Sequence, residues 1–354
     1  MRKILKKLKI NKINLENRIC ISPMSQYSSD NGNPSAWHYE HLGQLSKSGA
    51  GLLMIESTAV SKKGRISLKD LTLFNKKNEK SLKKLVKFLK KKSEIKVGIQ
   101  LSHAGRKGSA EIPWIKYNCP IKNNTKWKTL APSPLSRDKH WPKPMMLNLR
   151  GIKQIINEFK RSAQRANRAG LDCLEIHMSH GYLLHQFFSP ISNLREDHYG
   201  GSLKNRCRFL IEIASAIRSV WPKTKILGAR VSGNDWLKKG ATIKDCIYLV
   251  KKLKKIGFDY ACVTSGGILP ITNIKFKPGY QVFLAGQVRK KTNIITRTAG
   301  MIRDLQHAEK IFSSKKADLV SFGRKFINSP TWLIKEKLKY KMKADLPNQY
   351  KRCF

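Results

Sequence analysis

Eight short apolar runs punctuate the chain, and each is followed by a longer stretch with helical periodicity. The runs are RICIS (18–22), GLLMIES (51–57), KVGIQLS (96–102), LDCLEIH (171–177), KILGARVS (225–232), DYACVTS (259–265), NIITRTA (293–299) and DLVSFG (318–323). Near-continuous apolar runs of this length suit strands buried on both faces rather than half-exposed ones. Between them, SLKKLVKFLKKKSEIK (81–96) sets Leu82, Leu85, Val86 and Leu89 on one helical face and lysines on the other. Ile152 to Ala169 repeats the pattern through Ile155, Ile156, Phe159, Ala163 and Ala166 and stops at Gly170, a residue suited to a left-handed cap. Thr242 and Asp245 form a capping-box pair opening a helix that runs through Ile243, Ile247 and Val250 to Gly257. Strand, helix and glycine in this repeating order predict parallel strands with helical crossovers, and eight units predict a closed (β/α)8 TIM barrel of the α/β class, one domain over 1–354.

One region breaks the rhythm. Residues 106–147 are rich in proline, carry Trp114, Trp127 and Trp141, and show no clean period. A long irregular insertion after the third strand belongs at the C-terminal mouth of a barrel, as a lid over the place where such folds build active sites.

Composition changes the picture little. The 71 basic and 23 acidic side chains give a net charge of +48, which taken alone suggests a polyanionic partner. The lysines are spread over nearly every helical segment instead of forming a stripe, so we expect solvated surface and no specific nucleic-acid site. No apolar stretch is long enough for a membrane span, and lysines interrupt the opening MRKILKKLKINKI; we expect a cytoplasmic protein with no membrane partner. The cysteines, at 20, 119, 173, 207, 246, 262 and 353, include no C-x-x-C pair, which disfavours a disulfide framework or zinc knuckle.

Neither G-x-G-x-x-G nor G-x-x-x-x-G-K occurs, so a Rossmann domain and a P-loop are disfavoured. A barrel instead holds phosphate with loops after its last two strands, where this chain has Gly300 (TAGMI), Gly323 and Arg324 (FGRK). The densest polar cluster is EIHMSHGYLLHQFFSPISNLREDHYGGS (175–202). His177 closes the fourth strand, and His180 and Tyr182 follow it. Two neutral imidazoles can donate to one carbonyl oxygen, and a phenol with an ordinary pKa of about 10 can protonate a carbanion-like carbon. A rival reading takes Glu175, His177 and His180 as metal ligands of a barrel hydrolase or lyase. A second H-x-x-H, His38 and His41, falls within helical periodicity and reads as structural.

The blocks ISPMSQYSS (21–29), IQLSHAGRK (99–107), the 175–202 segment with NRCRF (205–209), and VSFGRKFINSP (320–330) resemble the Old Yellow Enzyme family, in its bacterial thermophilic-like and xenobiotic reductase branch. The resemblance implies an FMN-dependent ene-reductase with NADPH or NADH as hydride donor and an activated alkene as acceptor. It implies that Pro23, Met24 and Ala59 line the flavin, that Gln100 bonds its pyrimidine edge, and that Arg230 sits at N1 and O2. Gly300, Gly323 and Arg324 would hold the phosphate. His177 and His180 would grip the substrate oxygen, Tyr182 would supply the proton, and Tyr27 would contact substrate. Ser25 stands where the branch usually has a cysteine, which implies a hydroxyl near flavin O4 and a changed flavin potential. The resemblance further implies a homo-oligomer, dimer or tetramer, whose 340–354 tail brings Arg352 to a neighbouring subunit's site.

Overall fold

The computed structural model describes residues 3–270, 273–342, 346 and 348–353. All eight expected strands form: β1 (Ile19–Ile21), β2 (Leu52–Ala59), β3 (Lys96–Ser102), β4 (Cys173–Met178), β5 (Ile226–Ser232), β6 (Tyr260–Thr264), β7 (Ile295–Thr298) and β8 (Leu319–Phe322). Each pairs in parallel with its sequence neighbours, and β8 pairs with β1 through Val320 opposite Ile19, so the sheet closes into a barrel. The outer ring consists of α1 (Ala36–Ser46), α2 (Lys76–Lys92), α3 (Leu149–Arg168), α4 (Leu203–Arg218), α5 (Ile243–Ile256), α6 (Val282–Thr292), α7 (Leu305–Ser313) and α8 (Trp332–Lys339).

Helix ends differ from the periodicity in an instructive way. α2 begins at Lys76, where the Asn75 side chain accepts from the Asn78 N–H, and it ends at Lys92, short of the expected 96. The apolar positions Leu82, Leu85, Val86 and Leu89 mark only the turns that face the sheet; the polar first turn is set by its cap. α5 shows the Thr242–Asp245 capping box, and Gly257 ends it at φ 99°.

Strand parity stacks the barrel interior in layers. Cys20, Leu52, Met54, Cys173, Ile226, Tyr260, Cys262 and Leu319 fill the lower part together with Ile10 and Leu15. The last two come from a hairpin (Leu8–Ile10 and Ile13–Leu15) that plugs the N-terminal end. Two residues further along β4, Glu175 is fully buried and accepts from Gln100 Nε2 at 2.7 Å and Tyr260 Oη at 2.8 Å, and it pairs with Arg297 of β7. Gly228 of β5 leaves room for the Tyr260 ring, which a Cβ there would meet at 2.1 Å. One layer higher still are His177 and its register partner Arg230. With the lower end plugged by apolar side chains and the middle filled by an ion pair, the upper mouth is the open end of the cylinder.

The 106–147 segment follows β3 as expected. A short parallel pair, Leu130–Ala131 with Met145–Met146, organises it, and Arg195 clamps it by donating to Leu147 O at 2.6 Å and Pro132 O at 3.1 Å. Of the 340–354 tail, residues 343–345, 347 and 354 lie outside the described residues. Its Tyr350 hydroxyl accepts from Lys47 Nζ at 3.0 Å, next to the C-terminal end of α1 and therefore beside the N-terminal end of the barrel.

The buried pair makes a test of the layered core. Glu175→Leu leaves Arg297 charged and unpaired and should cost about 3–5 kcal/mol, whereas Glu175→Leu with Arg297→Met should recover most of that loss. Urea unfolding of the two variants distinguishes them; equal midpoints would mean that the pair is not coupled.

Candidate active site

The strand tips at the mouth are polar, and many of their groups have no partner. Buried and unbonded are the hydroxyls of Ser102, Ser232, Thr298 and Ser321 at the ends of β3, β5, β7 and β8, that of Ser265 just past β6, the Nε of Arg230 and the Oε1 of Gln281. Buried polar groups are normally satisfied, so such a ring marks a place where a polar ligand completes the bonding. Gly323, whose Cβ would meet Met24 Sδ at 3.0 Å, and Gly300, at φ 114°, keep the backbone close and open on the β7–β8 side. The donor set of hydroxyls, backbone and an arginine fits a flat heteroaromatic group with a phosphate tail.

His177, His180 and Tyr182 are brought together. His177 Nε2 lies 3.2 Å from His180 Nδ1, and the His177 ring stands 4.8 Å from that of Tyr182 at 88°. Because the Ser179 N–H donates to His177 Nδ1 (3.3 Å), His177 carries its proton on Nε2, toward the site. His180 Nε2 is 2.9 Å from Thr264 Oγ1. With that proton on His177 Nε2, the 3.2 Å contact makes His180 Nδ1 the acceptor and directs the His180 Nε2–H to Thr264 Oγ1. When the Thr264 hydroxyl donates instead, the His180 proton moves to Nδ1 and both inner nitrogens offer hydrogen to an oxygen placed between them, so Thr264 is coupled to the tautomer, a role that sequence reasoning did not find.

The turn that carries these groups is held from below. His180 adopts a left-handed φ of 57°, and a Cβ on the next residue, Gly181, would strike Gly267 O at 2.0 Å. Gly181 N–H donates to His185 Nδ1 at 2.8 Å, which directs the His185 Nε2–H to Asp235 Oδ1, also at 2.8 Å. Asp235 in turn accepts from Ser189 Oγ and from Ala241 N–H, both at 2.7 Å. Gln186 reaches Gly181 O at 2.7 Å, and the Arg106 N–H donates to its Oε1 at 3.2 Å. Within the 175–202 segment His185, Gln186 and Ser189 therefore support the turn, and Asp235, fifty residues from His185, is a partner that sequence reasoning did not find.

The loop after β1 is fastened in the same manner. A bulge in β2 between Ile55 and Ser57 leaves Glu56 out of register, where it accepts from the Gln26 N–H at 2.7 Å and bonds His38 Nε2 at 3.0 Å. His38 is accordingly a buried structural group. The loop presents Pro23, Met24 and Ser25 half-buried, and burial, with the charges of Asp70 and Glu56 behind it, raises the Tyr27 phenol to about 12. Tyr27 has φ 49° and packs edge-on to Trp114 of the insertion at 6.1 Å. Ala59 ends β2, buried, and Gln100 is tied to Glu175. Arg324 is exposed on the first turn of a short helix that Gly323 caps. Arg352 is exposed in the tail, at the other end of its own barrel, and is not brought to the histidines of its own chain.

The metal reading does not assemble. Glu175 is spent on Arg297, Tyr260 and Gln100 one layer below the histidines, and among the described residues no three His, Cys, Asp or Glu side chains are gathered as a ligand set. Burial, then Arg230 and Lys107, hold the His177 imidazole well below its ordinary range; for His180 burial leads again, followed by Arg230, His177 and Lys107. Both rings are neutral hydrogen-bond groups. Burial pushes the Tyr182 phenol upward, so it keeps its proton.

Residues 3–344 match the NADH:flavin oxidoreductase / NADH oxidase family. The chain is 39% identical over 354 residues to an NADPH dehydrogenase of Clostridium acetobutylicum, with 99% of each chain covered. Among solved structures it superposes on morphinone reductase with a TM-score of 0.79 at 24% identity, over 98% of this chain and 91% of that one. It also superposes on 2-naphthoyl-CoA reductase with a TM-score of 0.85 at 23% identity, over 96% of this chain but 52% of that one, so it spans about half of that protein. Among the described residues no helix is long and apolar enough to cross a membrane.

The histidine pair predicts a pH effect of definite sign. In the unfolded chain these imidazoles bind protons below about 6.5, while in the native site they do not until lower pH. Between those values the unfolded state holds more protons, so stability falls as pH drops below about 6.5 and is regained as it rises. The urea midpoint should decline between about pH 7 and 5, less steeply in His180→Asn; the same slope in both proteins would contradict the assignment.

Proposed function

The chain belongs to the NADH:flavin oxidoreductase / NADH oxidase family and is an NAD(P)H-dependent flavin oxidoreductase of the Old Yellow Enzyme type with FMN as cofactor; from that premise we propose that it reduces the C=C bond of activated, enone-type alkenes in a ping-pong reaction. The observation that carries this reading is the pair of inner nitrogens, His177 Nε2 and His180 Nδ1, 3.2 Å apart beside the Tyr182 ring. Two neutral donors converging on one point suit a carbonyl oxygen that gains negative charge as the reaction proceeds.

In this reading Pro23, Met24 and Ala59 would line the flavin ring, Ser25 and Gln100 would meet its polar edges, and Arg230, whose Nε has no protein partner, would offer it a fixed cation. Gly300, Gly323 and Arg324 hold the phosphate. What bound FMN supplies is a hydride accepted from NAD(P)H and delivered to the β carbon of the alkene. His177 and His180 polarise the substrate oxygen, which makes that β carbon electrophilic. Tyr182 gives its phenolic proton to the α carbon and is reprotonated from solvent, so hydride and proton together saturate the double bond. Tyr27 packs against the substrate, and the 106–147 insertion acts as the lid. A homo-oligomer in which a neighbour's Arg352 enters the mouth belongs to the same proposal.

Tyr182→Phe isolates the proton step. The FMN-loaded variant should be reduced by NADPH within a few-fold of the normal rate but transfer to cyclohex-2-enone about 10²–10⁴-fold more slowly, since that is what a positioned general acid contributes. Stopped-flow measurement of each half-reaction reads both; equal losses in the two halves would remove Tyr182 from the proton-donor role.

A further inference from the structure

The insertion contributes a cluster of cations that the reaction just described does not use. Arg106 donates to Leu135 O at 3.3 Å, Ser136 O at 3.4 Å and Ile268 O at 2.9 Å, and so fixes the chain immediately before Arg137. The Arg137 guanidinium lies over the Trp141 ring, 4.8 Å from its centroid. Trp141 is buried in a small cluster with Ile66, Ala104 and Ala110, against which Tyr27 and Tyr182 pack. Lys107 Nζ donates to His180 O at 2.8 Å and stands 5.1 Å from the centroid of the Tyr182 ring.

Among the described residues none of these three cations has a carboxylate ion pair. The nearest acid in sequence, Asp138, accepts from the His140 N–H at 2.9 Å and acts on Arg137 through its charge without forming an ion pair with it. Asp70 is occupied by the Ile66 and Ser67 N–H groups and the Ser67 hydroxyl. Burial, followed by repulsion from Arg137 and Arg106, lowers Lys107 to about 7, and the charge of Arg137 acts on the Tyr182 phenol. Like charges gathered in a partly desolvated place are unfavourable by themselves; an anion bound among them offsets the repulsion and restores full charge to Lys107.

We propose that Arg137 is a specificity-determining residue that, with Lys107, receives a carboxylate carried by the alkene substrate. The proposal rests on the ene-reductase reading, because Tyr182 and His180 bring the reacting carbons next to these cations. A planar guanidinium stacked on an indole is preorganised for bidentate carboxylate binding, and its place on the insertion separates substrate choice from the proton and hydride chemistry.

The test compares two acceptors of matched shape and substitution that differ in charge, 3-oxocyclohex-1-ene-1-carboxamide and 3-oxocyclohex-1-ene-1-carboxylate, with FMN-loaded protein. Arg137→Gln should lower the preference for the carboxylate, the ratio of the two kcat/KM values, by about 10–100-fold, mostly through KM, as expected for loss of a charge-assisted contact. Arg137→Lys should restore part of it. The same factor for both acceptors, or a rise confined to the KM of NADPH, would overturn the proposal. Should neither alkene be reduced, the ene-reductase reading fails on its own, and calorimetric titration of oxidised protein with 4-hydroxybenzoate and 4-hydroxybenzamide still decides this one. A benzoate preference that disappears in Arg137→Gln supports it, and equal affinities in the unsubstituted protein refute it.

Discussion

The buried contact between Glu175 and Arg297 fixes where everything above it can be. Two opposite charges with no exposure sit at the mid-height of the barrel, joined by the Tyr260 hydroxyl and the Gln100 amide, and they link four strands, β3, β4, β6 and β7. A buried pair of this kind adds little net stability compared with an apolar core. What it does provide is register. A strand that slipped by one residue would point Glu175 at the helices and leave Arg297 without a counter-charge, so the slip is penalised far more than an exchange of one aliphatic side chain for another. With β4 fixed at Glu175, His177 is placed two residues higher on the same side, at the mouth.

Above that layer, the site is held by bonds that its own reactive atoms do not make. His180 occupies a left-handed conformation that a non-glycine residue adopts only when its surroundings determine it. Those surroundings are the His185–Asp235 pair on one side and Gln186 on the other, with Lys107 holding the His180 carbonyl. The result is preorganisation. Two neutral imidazoles are held with their inner nitrogens 3.2 Å apart at one place, so the rings need little movement when charge develops on an oxygen beside them.

The sequence made the architecture legible because strands buried on both faces are almost purely apolar and recur eight times; each of the eight runs became a barrel strand. Helix starts were less legible, since capping residues such as Asn75 and Asn148 define them rather than the apolar stripe. Within the site, His177, His180 and Tyr182 could be grouped because they lie within six residues of one another. Partners supplied by distant strands could not be, and so Glu175 was open to a metal reading until Arg297 was seen beside it. One signal was available: an acid in the interior of the fourth run and an arginine in the interior of the seventh are a pair that burial would force together. Thr264 and Asp235 carried no comparable mark.

The net charge of +48 separates into two populations with different physics. Lysines such as those along α2 lie on solvated helix faces, where water and salt screen them. Arg230, Lys107, Arg106 and Arg137 are instead gathered around one opening, partly withdrawn from water, where the effective dielectric is lower and each feels the others. Arg230 belongs to a barrel strand and is fixed by its register with His177, while the other three arise from the insertion and the turn leading into it. A cation on the barrel acts on whatever is bound across the strand tips, and it cannot be moved without moving the chemistry. A cation on the insertion is attached to a segment that the barrel tolerates in many lengths, so the charge of the accepted substrate can change while the histidine pair, the phenol and the ion pair beneath them stay as they are.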